Sequence, residues 1–195
     1  MVIGERFAWG HLPKTGGEAT RAMFSHVPEL VRFSDPPNTL DQHKTFAERR
    51  DQVEGKVLSL NIRRLPAWIL SREQHRSRWG VHPENRPMPM PSPDEMASST
   101  VPDERLGAFM AGGLEIDRWL RTEHIVDDFL AFVAEFTDMS DELSNRIRGI
   151  GRINFNVYTR SLDEWFTPEQ IEKLYAHNPR WREVEESVYG SLALP

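Results

Sequence analysis

Cysteine is absent from this chain, and so are long apolar runs. None of the 195 residues is Cys, which excludes a disulfide framework and a thiolate metal site. No stretch approaches the roughly 20 apolar residues of a membrane-spanning helix. The first ten residues also lack the basic start and long apolar run of a secretory signal. We therefore expect a protein without a membrane span, located in the cytoplasm, where disulfides are rare.

A surplus of basic residues is missing too. The chain carries 24 Lys and Arg against 30 Asp and Glu, a formal net charge of −6 at pH 7. Without a long basic run the sequence predicts no nucleic-acid-binding face, so a site for an anion must be built locally. The pairs His75–His82 and His124–Asp128 have no further residues at ligand spacing, and we expect no metal.

Strand-like and helix-like segments alternate along the chain. The composition, 38% hydrophobic and 28% charged, suits one globular domain over residues 1–195. Periodicity and turn residues predict strands at 5–10, 56–62 and 116–120, and helices at 17–26, 46–54, 67–79, 103–112, 126–136, 140–147 and from Thr167 onward. This alternation predicts an α/β fold with a mainly parallel sheet flanked by helices. Ligands of such sheets bind at the carboxyl ends of the strands.

Proline sets residues 80–102 apart from the rest of the chain. Five prolines fall within eleven residues, at positions 83, 87, 89, 91 and 93. Such a density argues against a regular helix or a central strand. Long irregular segments inside compact domains are functional lids or disordered inserts. We expect a lid or substrate loop here, with a disordered insert as the alternative.

The most informative segment follows the first predicted strand and reads His-Leu-Pro-Lys-Thr-Gly-Gly-Glu-Ala, residues 11–19. A strand, a tight glycine turn and a helix start make an anion site, because the first helical N–H groups have no partner within the helix. Lys14 adds a mobile positive charge and Thr15 adds a hydroxyl. Gly16 and Gly17 let the backbone approach a ligand closely. The lysine precedes the glycine pair, whereas in a Walker A loop it follows the last glycine.

A second segment with phosphate-binding chemistry follows the strand at 56–62. Arg63 and Arg64 come directly after it, then Pro66 at a helix start and Ser71 within that helix. Arginine binds phosphate oxygens with two parallel hydrogen bonds and stays charged at every working pH. The pair therefore predicts a phosphate clamp, with the choice between Arg63 and Arg64 left open.

Taken together, the two segments resemble the cofactor loops of sulfotransferases that use 3′-phosphoadenosine 5′-phosphosulfate (PAPS). The segment at 11–19 is most similar to the carbohydrate-type branch, whose loop reads His-Ile-Pro-Lys-Thr-Gly-Gly-Thr-Ser. Glu18 and Ala19 depart from that pattern, where two hydroxyl residues are usual. The family's Arg-x-Pro and a Ser eight residues after the Arg fit imperfectly, since Arg64 matches the proline and Arg63 matches Ser71. Residues 119–129 weakly resemble the family's late strand and the helix after it.

The resemblance implies a P-loop-like sulfotransferase fold and a role for each candidate residue. Lys14, Thr15, Gly16 and Gly17, with Glu18 and Ala19 after them, would bind the 5′-phosphate and the transferring group. Arg63 or Arg64, with Ser71, would bind the 3′-phosphate. The implied reaction moves a sulfuryl group from PAPS to a hydroxyl of a sugar, a lipid or another small alcohol, with no metal.

The base that would take the acceptor's proton has two candidates. The family often carries a His in a Gly-His-x-x-Phe/Tyr context near His43, with Gln42 here in place of the glycine. Imidazole is suited to proton transfer at neutral pH. Glu18 on the loop itself is the alternative, since related enzymes use a Glu. Two other functions stay open: a non-catalytic nucleotide-binding module of the same fold, and a small P-loop-like kinase.

Overall fold

Two compact units, each made of two separate stretches of chain, form the protein. The computed structural model describes residues 1–37, 39–80, 88–151, 153 and 158–193. The first unit comprises Met1–Ile62 and Gly107–Asn154, and the second comprises Arg63–Leu106 and Phe155–Pro195. The prediction of one domain over the whole chain stays a prediction.

The first unit contains a mixed five-stranded sheet. In chain order the strands are β1 (Val2–Ile3), β2 (Phe7–Gly10), β3 (Phe33–Ser34), β4 (Val57–Ile62) and β5 (Arg118–Arg121). Their spatial order is β3-β1-β2-β4-β5. β4 runs parallel to both β2 and β5, whereas β1 is antiparallel to both of its neighbours. The sheet is therefore mixed rather than mainly parallel, because the chain enters it through a short hairpin between β1 and β2.

Helices accompany the sheet in the first unit and make up most of the second. They are, in chain order, α1 (Gly17–Phe24), α2 (Arg50–Val53), α3 (Leu65–Trp79), α4 (Pro93–Ala97), α5 (Val101–Phe109), α6 (Ile125–Ala134), α7 (Asp141–Arg148), α8 (Pro168–His177) and α9 (Pro179–Tyr189). Within the described residues, none of them is long and apolar enough to cross a membrane. The combination of a mixed sheet with helices makes this a mixed α/β protein. The P-loop-like sulfotransferase fold stays a prediction.

Aromatic side chains from the sheet, α1 and α6 form the core of the first unit. Phe7 of β2 stacks on Phe24 of α1, with ring centroids 5.7 Å apart, and Phe24 meets Phe129 of α6 edge-on at 4.9 Å. Phe129, Leu130, Phe132 and Val133 are all buried, which confirms the predicted apolar face of that helix. This packing fixes α1, and with it the loop that precedes α1.

The second unit is a helical cluster in which α8 contacts α3, α4 and α9. Trp68 of α3 and Trp181 of α9 are buried with ring centroids 5.1 Å apart. The Asp103 carboxylate accepts hydrogen bonds from the backbone N–H groups of Arg180 (2.9 Å) and Trp181 (2.7 Å). It therefore satisfies donors at the start of α9 that the helix cannot satisfy itself.

The proline-rich segment contains regular structure that its composition argued against. Residues 93–97 form α4, with Pro93 at a first-turn position and a capping box between Ser92 and Glu95. Proline is tolerated at that position because the first helical N–H groups have no intrahelical partner anyway. The expectation that no helix forms within 80–102 was wrong there. Residues 81–87 lie outside the described residues, so the expected lid or insert stays a prediction.

A close approach between Gly17 and His11 holds the beginning of α1 against β2. The His11 ring stacks on Trp9 with centroids 5.5 Å apart. A Cβ on Gly17 would lie 1.9 Å from His11 Nε2, a distance no real contact permits. The His11 ring is buried and stacked on Trp9, so it cannot easily move away from an added Cβ.

We predict that Gly17→Ala destabilises the fold by about 1–3 kcal/mol, the usual effect of overpacking a filled site. Chemical denaturation measures this loss. Gly151→Ala is the matched control, because no atom of the described residues lies within 4 Å of a Cβ at Gly151. A double variant with His11→Ala should recover part of the loss. Equal stability of Gly17→Ala and wild type would contradict the steric argument.

Candidate functional site

The loop between β2 and α1 turns through two left-handed residues. Lys14 has φ 67° and Gly16 has φ 84°. The left-handed region costs a non-glycine residue about 1–2 kcal/mol, so surrounding contacts must hold Lys14 in place. A Cβ at Gly16 would lie 2.8 Å from Ile125 Cδ1. Glycine at position 16 therefore meets both a conformational and a steric requirement.

Asn61 of β4 connects the loop to its surroundings. The side chain is fully buried. Its Oδ1 accepts from Trp9 Nε1 at 2.8 Å, and its Nδ2 donates to the Thr15 carbonyl at 2.9 Å and to Thr20 Oγ1 at 2.8 Å. One amide thus joins β2, β4, the loop and α1.

The Thr15 carbonyl has a second donor. Thr122 follows β5 directly, and its hydroxyl lies 2.8 Å from the Thr15 carbonyl oxygen and 2.9 Å from that of Ile62. Sequence reasoning missed both Asn61 and Thr122 as site residues. The available signal for Asn61 was its amide inside a largely apolar buried strand, where Ser59 is the other polar residue. Burial makes such an amide costly unless it is hydrogen-bonded.

Backbone donors line the turn. The hydrogen bond from the Thr20 N–H to the Gly16 carbonyl opens α1, so the N–H groups of residues 16–19 precede its intrahelical hydrogen bonds. Such consecutive N–H groups at a helix start form a concave anion-binding nest, and the helix dipole adds positive potential. The arrangement is suited to a phosphate or a sulfate group.

The side chains of the predicted loop residues differ in their burial and in their hydrogen bonds. The Thr15 side chain is fully buried, and its hydroxyl donates to the Leu12 carbonyl at 2.7 Å. It therefore closes the turn. Lys14, Glu18 and Ala19 are half-buried. Glu18 lies in the first turn of α1 and makes no hydrogen bond to the described part of the chain.

His43 lies against the first residue of the loop. It ends a short 3₁₀ turn at residues 40–43, and its ring centroid is 4.6 Å from that of His11. His43 Nδ1 lies 3.1 Å from the His11 carbonyl oxygen, which only accepts, so Nδ1 carries the proton. Nε2 is then the basic nitrogen, and Gln42 Nε2 donates to it at 3.2 Å. The structure brings His43 and the loop together within the first unit.

In the second unit, a network with the buried carboxylate of Glu185 holds Arg64. Arg64 Nη1 donates to Glu185 Oε1 at 3.1 Å and to the Ser191 carbonyl, and the guanidinium lies over the Tyr189 ring at 4.0 Å. Leu65 N–H and the Tyr175 hydroxyl also donate to Glu185, each at 2.8 Å. Burial raises the pKa of Glu185, and these donors oppose that shift.

Arg63 and Ser71 are the other two predicted residues of the phosphate clamp. The Arg63 carbonyl accepts from Trp181 Nε1 at 3.0 Å, which fixes the backbone at that residue. Ser71 lies in α3 and is buried. Arg64 has a structural role of its own, and the choice between Arg63 and Arg64 as the phosphate ligand stays a prediction. A group of three or more potential metal ligands is not found among the described residues.

His11 is a titratable group buried beneath the loop. Burial, and then the charges of His43, Arg21 and Lys14 among others, lower the pKa of His11 from 6.5 to about 3. Its Nδ1 has no hydrogen-bond partner among the described residues. The ring therefore stays neutral at physiological pH and adds no charge to the turn.

This burial predicts a pH-dependent stability. Between pH 6.5 and about pH 3 the unfolded chain binds a proton at His11 that the folded protein does not. The contribution of His11 to the free energy of unfolding is therefore fully present above pH 6.5. Below pH 6.5 it decreases by about 1.4 kcal/mol for each pH unit as the pH falls toward 3. Urea unfolding at several pH values measures this slope. In His11→Gln the free energy of unfolding should change with pH by that much less per pH unit. The same pH dependence in the variant and in wild type would contradict a buried, neutral His11.

Comparison of the chain with protein-family models, with curated proteins and with solved structures gives no match. What the site can bind therefore follows from its own groups. A lysine and the N–H groups at the start of a helix favour an anionic ligand at the turn of residues 14–19.

Proposed function

We propose that this protein is a sulfotransferase that moves a sulfuryl group from PAPS to a hydroxyl of a small-molecule, carbohydrate or lipid acceptor. The observation that carries the proposal is the turn between β2 and α1. There Lys14 and the first N–H groups of α1 follow the carboxyl end of β2. The order of residues in this turn is the order that resembles the PAPS loop.

Lys14 would act on the bond that breaks. In sulfuryl transfer the acceptor oxygen bonds to sulfur while the bond from sulfur to the 5′-phosphate oxygen breaks. Negative charge then grows on the leaving phosphate. A fixed ammonium group and preorganised N–H groups stabilise such charge, which is the larger share of catalysis in related group transfers. The products are a sulfate ester and adenosine 3′,5′-bisphosphate.

The 3′-phosphate would be bound by Arg63 and Ser71. A guanidinium that is hydrogen-bonded to a buried carboxylate can turn to a ligand only if it leaves that carboxylate buried without its partner. A buried charge without a partner destabilises the fold. Arg64 is in this position with Glu185. The eight-residue spacing from Arg63 to Ser71 agrees with the same choice.

His43 would take the acceptor's proton. Its Nδ1–H is fixed on the His11 carbonyl, so Nε2 is the nitrogen that can accept a proton. Gln42 occupies that lone pair in the absence of an acceptor, and an acceptor hydroxyl would have to replace the Gln42 amide. Glu18 remains the alternative base, because it lies in the first turn of α1 beside the same N–H groups.

Nucleotide preference tests this proposal directly. Adenosine 3′,5′-bisphosphate should raise the Tm, because a ligand that binds only the folded state stabilises it. ADP should raise it less, since it lacks a 3′-phosphate. Lys14→Ala should abolish most of the shift. Thermal unfolding with each nucleotide at equal concentration measures the order.

A larger shift with ATP and Mg²⁺ than with the bisphosphate would favour the kinase instead. Binding of the bisphosphate, combined with no sulfate transfer from PAPS to any hydroxyl acceptor, would favour the non-catalytic binding module. Either result contradicts the proposed transferase.

The two arginines predict opposite phenotypes. Arg63→Ala should weaken bisphosphate binding about tenfold or more, as expected for a charged hydrogen bond, and leave stability nearly unchanged. Arg64→Ala should cost about 1–3 kcal/mol of stability, because it removes a donor from the buried Glu185 carboxylate. Calorimetric titration and urea unfolding separate the two effects. The reverse pattern would assign the clamp to Arg64.

A further inference from the structure

We propose that Thr122, together with Asn61, is a positioning residue that sets the orientation of the phosphate-binding turn. The inference rests on the proposed function only for the identity of the anion. Its basis is the pair of hydrogen bonds that these side chains, from β4 and the end of β5, make to one carbonyl oxygen, that of Thr15.

Holding that carbonyl fixes the direction of the next N–H group. The described chain has no cis peptide bond, and in a planar trans peptide the C=O and N–H bonds point in opposite directions. With the Thr15 oxygen directed at Asn61 and Thr122, the Gly16 N–H must point away from both. A ligand bound on the side opposite to Asn61 and Thr122 would then meet this N–H group.

The conformational preference of Gly16 does not by itself set the direction of the Thr15–Gly16 peptide. Gly16 adopts φ 84°, but a glycine populates positive and negative φ about equally. A rotation of the Thr15–Gly16 peptide would exchange its C=O and N–H directions and present a carbonyl oxygen to an anion. The two side-chain donors oppose that rotation, because each would lose one of its two acceptors and keep only the other, Thr20 Oγ1 for Asn61 and the Ile62 carbonyl for Thr122.

Thr122 is itself held firmly by the residue before it. Asp128 accepts from the Arg121 backbone N–H at 2.8 Å, from Nε at 2.9 Å and from Nη2 at 2.7 Å. This bidentate ion pair fixes the end of β5 against α6. The Thr122 hydroxyl is consequently preplaced between the Thr15 and Ile62 carbonyls rather than carried on a mobile loop.

Removal of one hydroxyl tests the inference. Thr122→Val keeps the shape of the side chain and removes the donor. It should bind adenosine 3′,5′-bisphosphate and inorganic pyrophosphate about tenfold more weakly, the net effect of one hydrogen bond. Thr122→Ser restores the hydroxyl and should bind within about threefold of wild type. Thr137→Val, also in the first unit, is the matched control and should bind as wild type.

Calorimetric titration at 25 °C reads affinity for the folded protein, so a loss of stability alone does not change it. Thr122→Ala is measured in the same way if circular dichroism shows that Thr122→Val is unfolded. Unchanged affinity in the hydroxyl-free variant, or equal losses in Thr122→Ser and Thr122→Val, would overturn the inference.

The two anions separate this inference from the proposed function. If wild type binds pyrophosphate but not the bisphosphate, the PAPS assignment fails, and the Thr122 variants with pyrophosphate still decide the positioning role. If wild type binds neither anion, both the proposed function and the positioning role are overturned.

Discussion

The hydrogen bonds of one buried amide, Asn61, constrain the first unit more than any other contact of the turn. An amide in the middle of an apolar strand costs free energy unless its polar atoms are paired. Here its partners are a side chain of β2, a loop carbonyl and a hydroxyl of α1. The sheet cannot bury Asn61 favourably without also placing the turn and the helix correctly. Folding of the core and formation of the turn are therefore coupled.

Electrostatics at this turn depend on keeping the neighbouring histidine neutral. The protein has a net charge of −6, so attraction for an anion must come from local groups rather than from a long-range field. In the proposed site, Lys14 and the N–H groups at the start of α1 would supply this attraction. His11 lies directly beneath, and its lowered pKa keeps it uncharged near neutral pH. A charged ring there would be desolvated at high cost, so the fold uses His11 as a packing surface against Gly17.

Strongly patterned elements could be predicted from the sequence, and contacts between distant residues could not. The strand at 57–62 and the apolar face of α6 were predicted because both carry several consecutive or periodic apolar residues. β1 and β3 have two residues each, too few for a period. The position of Lys14 between a strand and a helix was predicted correctly. Thr122 was missed because its partner, Thr15, lies more than a hundred residues away in the chain, and spacing carries no information at that range.

In the proposed reaction, the contact between His43 and the loop would couple proton transfer to phosphate binding. The His11 carbonyl that orients the His43 ring belongs to the first residue of the loop, so a shift of the loop also shifts the candidate base. The Gln42 amide donates to Nε2 of the same ring, so an acceptor hydroxyl would have to displace that amide before donating its own proton there. In the proposed reaction the loop carbonyl would set the direction of the ring, and the exchange of the amide for the acceptor would determine where the acceptor hydroxyl lies.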